Sequence, residues 1–181
     1  MKKILIIFSV ICMMAVFNTK VMAQVTLTGN NAGATLVSAL TITNTTPLNF
    51  GRIAIPAIAG SVTMSTAGLR TPTGCTIVTT GTPSTVALFT VGGTADAFYT
   101  LTLPTSITVS TTGTGVNTMI IDNIMVNVNS TGEAAYTVPI STPKLSSGGV
   151  STFLMAGKLN FADSQLLGVY AGTYTVIVDY L

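Results

Sequence analysis

The stretch Gly168-Val169-Tyr170-Ala171-Gly172-Thr173-Tyr174-Thr175-Val176-Ile177-Val178-Asp179-Tyr180-Leu181 decides the fold class. One register holds Gly168, Tyr170, Gly172, Tyr174, Val176, Val178 and Tyr180; the other holds Val169, Ala171, Thr173, Thr175, Ile177, Asp179 and Leu181. The first is largely aromatic and aliphatic, the second mixed. Alternation with a period of two is the mark of a β-strand with one buried face. Fourteen extended residues span roughly 46 Å at about 3.3 Å each. That exceeds an ordinary strand, so Gly172 is expected to mark a bend or bulge.

Working outward from this stretch, the chain keeps one texture back to residue 24. Short runs of Val, Ile, Thr and aromatic residues alternate with Gly, Pro, Asn and Ser. Strands are predicted near 25–28, 35–43, 47–55, 61–65, 75–79, 85–91, 97–103, 106–110, 119–128, 136–140, 151–161 and 168–181. Tyr99, Leu101 and Leu103 share a face, as do Phe153, Met155, Gly157, Leu159 and Phe161. Ile120, Ile124, Val126 and Val128 are expected to share a third. Turns are predicted at Gly92-Gly93, Gly113-Thr114-Gly115, Ser130-Thr131-Gly132 and Ser146-Ser147-Gly148-Gly149. Pro72, Pro83, Pro104 and Pro143 fall between or at the ends of runs. Pro139 makes its own strand an edge strand. The one helical competitor is Ala32–Leu40, where Gly33 and the following Thr41-Ile42-Thr43 favour strand. Many short strands with no strand–helix alternation argue an all-β, antiparallel sandwich or barrel. With no repeat, linker or charge run, residues 24–181 read as a single domain.

The front of the chain speaks to location. Lys2 and Lys3 precede an apolar run, Ile4–Phe17, and Val21-Met22-Ala23 fits a small-residue cleavage rule. Residues 1–23 therefore read as a secretory signal peptide cleaved before Gln24. The apolar run is too short to cross a bilayer, which takes about 20 residues, and no membrane span is expected in the mature chain. Cleavage leaves four basic residues (Arg52, Arg70, Lys144, Lys158) and five acidic ones (Asp96, Asp122, Glu133, Asp163, Asp179), a net charge of −1. Such a sparsely charged surface has no basic patch for nucleic acid and little charge to keep molecules apart. One cysteine, Cys75, remains. It reads as a buried apolar thiol or as a partner for intermolecular pairing, and it cannot close an intrachain disulfide.

The catalytic vocabulary is thin. Histidine is absent, which removes the commonest general base and metal ligand. The acids are far apart, no nucleophile elbow or phosphate loop occurs, and Asp122-Asn123 alone makes no calcium loop. No enzyme activity, metal or cofactor is expected.

The closing stretch resembles the C-terminal strand of chaperone–usher pilus subunits, which carry a penultimate tyrosine and a glycine fourteen from the end. Tyr180 and Gly168 hold those places. Most of the chain after residue 24 also resembles a bacterial family catalogued as domain of unknown function 4402. The resemblance rests on Thr46-Pro47-Leu48-Asn49-Phe50-Gly51, Phe98-Tyr99-Thr100-Leu101-Thr102-Leu103-Pro104 and Gly168-Val169-Tyr170-Ala171-Gly172-Thr173-Tyr174. It implies an immunoglobulin-like, pilin-like antiparallel β-sandwich in an exported protein. After the expected cleavage the chain departs from many pilus subunits in keeping one cysteine, Cys75, in place of a pair.

Together these readings point to a secreted, non-catalytic structural subunit of a bacterial surface or fimbria-like assembly. Self-association or pairing with other surface subunits is expected, and the resemblance adds a periplasmic chaperone as a partner. Val25 and Leu27 alternate in a short N-terminal run and would fill a neighbour's groove by β-augmentation. Gly168, Tyr170, Tyr174, Val176, Val178 and Tyr180 would form that groove. The alternative is a monomeric secreted binding module, an adhesin or glycan binder, with Tyr136 as the loop-adjacent aromatic it needs.

Overall fold

The computed structural model describes Gly29, Asn31 and residues 33–181. The expected signal peptide and the strand at 25–28, with Val25 and Leu27, lie outside the described residues. Among the described residues there is no helix, and all pairings between strands are antiparallel. The strands are β1 (Thr41–Thr46), β2 (Arg52–Ala54), β3 (Gly60–Met64), β4 (Arg70–Thr73), β5 (Thr76–Val78) and β6 (Ala87–Gly92). They continue with β7 (Tyr99–Thr102), β8 (Ile107–Ser110), β9 (Thr118–Val128), β10 (Ala134–Ala135), β11 (Val150–Phe161) and β12 (Ile177–Tyr180).

The organising strand is β11. Its alternation places Phe153, Met155, Leu159 and Phe161 in the core. One edge pairs with β6 over Val150–Met155 and then with β3 over Lys158–Phe161. The other edge pairs with β9 from Phe153 to Asn160. β1 extends β6, β4 extends β3, and β8 and β10 flank β9. A smaller sheet, β7 with β12, carries the inward residues Tyr99 and Leu101, both wholly buried. A backbone bridge from Leu101 to Ile140 widens it. β2 and β5 form a third, two-stranded piece. The result is an all-β fold with a β-sandwich-like core, as the strand pattern requires.

Four local expectations need correction. The 119–128 run does not keep one face. Lys158 sits opposite Asp122 and Ala156 opposite Met125, so β9 carries one residue more than β11 between these pairs. Asn123 takes φ 46° there. This bulge reverses the alternation, burying Ile121 and leaving Ile120 49% exposed. Pro72 lies inside a strand and not beside one, because β4 pairs only with β3 and its outer edge needs no donor. Residues 136–140 form no strand of their own, and pairing shifts to Ala134-Ala135 and the single Ile140 bridge. The first described strand starts at Thr41, not at residue 35.

A polar chain running from the core to the surface ties the two layers together. The Ser151 hydroxyl donates to Asn129 Oδ1 at 2.7 Å, so the Tyr99 hydroxyl, 2.7 Å from Ser151 Oγ, must be the donor of that pair. Asn129 Oδ1 also accepts the Thr152 N–H, and its amide donates to the Lys144 carbonyl. β7, β11 and two loops thus meet in one network in which each polar atom is satisfied. Burial pushes the Tyr99 phenol above its ordinary value.

Ser151→Ala strands the Tyr99 hydroxyl in the core and is expected to cost about 1–3 kcal/mol, read from the urea midpoint at constant slope. The raised Tyr99 pKa means that the folded protein keeps its proton where the unfolded chain loses it. Stability from this residue is therefore full below about pH 10 and falls as pH rises beyond it. Urea midpoints between pH 9 and 11 are expected to fall less steeply in Tyr99→Phe than in the parent.

Candidate functional site: two clefts beside the C-terminal segment

The segment 168–181 is not one continuous strand. Ala171 exchanges both backbone hydrogen bonds with Ser110 of β8, at 2.9 and 3.0 Å. Ile177–Tyr180 pair with Tyr99–Thr102 of β7. Between these two attachments, Thr173–Val176 make no backbone–backbone hydrogen bond with any described residue. The break falls at Gly172, where a bend was expected. A Cβ there would collide with the Thr108 carbonyl oxygen, so only glycine lets the segment lie so close to β8.

The side-chain alternation nevertheless holds. Tyr170, Tyr174, Val176, Val178 and Tyr180 are half-buried, while Thr173, Thr175, Ile177 and Asp179 are exposed. Tyr174, Val176, Val178 and Tyr180 pack on the core. The Tyr174 ring meets Phe89 edge-on at 6.4 Å, and Phe89 stacks on Phe153 at 4.8 Å. The segment is therefore held by its side chains where its backbone is open.

A cleft flanks this open stretch on each side. The first, about 520 Å³, lies against the β7–β8 corner and mixes hydroxyl residues (Thr102, Ser106, Thr108, Thr173, Thr175) with apolar ones (Leu103, Pro104, Ile107, Ile177). The second, about 470 Å³, lies between the segment and β1. Its lining is mostly apolar, with Ile42, Leu48 and Phe89 facing Tyr174 and Val176. Tyr174 is the one ionisable residue in either lining. Its hydroxyl is buried without a hydrogen-bond partner among the described residues, and burial alone pushes its pKa up. Among the described residues, β1 pairs only with β6, and Thr173–Val176 on the opposite wall of the second cleft have no backbone partner.

Of the residues singled out from sequence, Tyr174 and Val176 line the second cleft. Val178 and Tyr180 continue the same register further along. Gly168 and Tyr170 sit apart from it. Gly168 lies beside Thr111, and the Tyr170 hydroxyl donates to the Leu166 carbonyl at 2.6 Å while accepting from Gln165 Nε2 at 2.7 Å. Sequence reasoning missed the opposite wall, Ile42, Leu48 and Phe89. The alternation Ile42–Asn44 and the apolar Leu48 after Pro47 were the available signals. Tyr136, expected near a loop surface, is 8% exposed, and its hydroxyl accepts the Leu103 N–H; it offers no ring to a ligand. Cys75 is half-buried with its thiol toward the Ser61 carbonyl. Burial raises its pKa, against a smaller opposing hydrogen bond from the Thr73 backbone. Among the described residues no three His, Cys, Asp or Glu side chains gather as a metal site, and no helix is long and apolar enough to cross a membrane.

Both clefts lie within residues 40–180, which match the family model described as a domain of unknown function (DUF4402). The chain belongs to the DUF4402 family. No curated protein and no solved structure matches it. The match starts at the last residue before β1 and ends at Tyr180, so both walls of the second cleft belong to the DUF4402 domain.

Because the Tyr174 hydroxyl is buried and unpaired, Tyr174→Phe removes a desolvation penalty and keeps the ring. The DUF4402 domain is expected to be as stable as the parent or more stable, by up to about 1 kcal/mol. A urea midpoint lowered by the substitution would show that the hydroxyl has a partner in solution.

Proposed function

We propose that this protein is an exported, non-catalytic structural subunit of a bacterial surface or fimbria-like assembly, built by adding a strand from one subunit to the cleft of another. One observation carries the reading: a mostly apolar cleft is bordered by two strand edges, β1 and the C-terminal segment, with no described backbone partner along it. Buried or partly buried backbone groups without partners are costly, and an extended chain laid in the cleft supplies both the hydrogen bonds and the apolar side chains. An immunoglobulin-like sandwich lacking one edge strand would have this form. Low charge supports the reading. β1 and Thr173–Val176 contain no lysine, arginine, aspartate or glutamate, the residues that usually guard exposed edges. Donor and acceptor surfaces would differ, and such head-to-tail contacts build open filaments. The signal-peptide pattern at 1–23 supports export, and Val25 and Leu27 are the apolar pair proposed to enter the neighbour.

The test uses residues 24–181 secreted from a native-like host. The parent is expected to form filaments or discrete oligomers by light scattering and negative-stain microscopy. Val25→Asp combined with Leu27→Asp is expected to leave a folded monomer that does not assemble. Assembly unchanged by the double substitution would rule out this donor strand.

A further inference from the structure

The penultimate tyrosine does more than fill the core. Its hydroxyl accepts the Thr94 N–H at 2.7 Å and donates to the Ser38 carbonyl at 2.6 Å. Thr94 completes the ring, because its own Oγ1 accepts the Ser38 N–H at 2.8 Å. Both backbone groups of Ser38 are thus held, one by Tyr180 and one by the residue to which Tyr180 is bonded. Gly93 leaves the space this requires, since a Cβ there would crowd the Tyr180 hydroxyl, Leu145 and Leu40. Directly before Ser38 the character of the chain changes: Leu36 is 95% exposed and Val37 59% exposed. Directly after it, Leu40 packs on the core.

We propose that Tyr180 is a latch that fixes the root of the N-terminal arm at Ser38. The arm available to a neighbouring subunit is then residues 24–37, which reach at most about 50 Å when extended. The C-terminal segment that borders the cleft also sets how much N-terminal chain each subunit can give away. Released from the latch, the root moves forward toward Leu40 and successive subunits are spaced less regularly. The latch itself stands on contacts within one chain; its role in spacing rests on the assembly reading above.

Tyr180→Phe keeps the ring and removes the hydroxyl. In the 24–181 protein, amide exchange at Thr94 and Ser38 is expected to accelerate about tenfold or more, with faster protease cleavage between residues 36 and 40. Amides of β9 and β11 are expected to exchange at the parent rate, which separates loss of the latch from general loosening. Thr94→Val, which removes only the Ser38 N–H acceptor, is expected to speed exchange at Ser38 while Thr94 stays protected by Tyr180. Unchanged exchange and cleavage at the root in Tyr180→Phe would overturn the latch. Local release with an unaltered subunit repeat in negative-stain images would overturn its role in spacing. If no variant or parent assembles, the exchange result still decides the latch, and the assembly reading fails separately.

Discussion

The structure depends on a segment that is anchored by its side chains and left open along its backbone. From Tyr174 to Tyr180 every second residue packs on the core, and the Tyr174 ring braces Phe89, which in turn stacks on Phe153 of the central strand. Removing the segment would uncover that core. Yet Thr173–Val176 make no described backbone hydrogen bond, although interior backbone groups almost always find partners. Hydrophobic packing and hydrogen bonding, which act together in β11, are separated here. Among the described residues, the core is covered while the backbone of this stretch has no partner.

That separation gives the second cleft its character. Ile42 and Leu48 come from the start of the domain, and Tyr174 and Val176 from its end. A surface built this way has mostly apolar walls and no charged side chain in its lining. The cleft on the other side of the same segment has a mixed lining of threonine, serine and apolar side chains. It arises where the β7–β8 connection and the C-terminal segment bow apart between their two points of attachment. The Tyr99–Ser151–Asn129 network joins the layers through residues that line neither cleft.

Much of this was legible in the sequence. The all-β class followed from period-two alternation, and the inward faces of β7 and β11 were read correctly because those strands are uninterrupted. The failures share a cause, which is that alternation is a local signal. One extra residue at Asn123 reversed the face of Ile120, and nothing in the run TMIIDNIMVNV marks where the bulge falls. Pro72 could sit in a strand because that strand is an edge, a fact of topology. The half-buried register of the C-terminal segment was readable, but its break into Ala171, an open stretch and β12 was hinted at only by Gly172. One wall of the cleft was therefore visible. The other, from Ile42, Leu48 and Phe89, depends on contacts between the two ends of the domain. The Tyr180 hydroxyl bonds to Thr94 and Ser38 likewise join residues far apart in the chain.

The most direct test of the account is amide hydrogen exchange at Thr173, Tyr174, Thr175 and Val176, compared between the monomeric and the assembled 24–181 protein. Rapid exchange is expected in the monomer and strong protection on assembly, as an added strand pairs with this stretch. Assembled protein in which these four amides exchange as fast as in the monomer would contradict it.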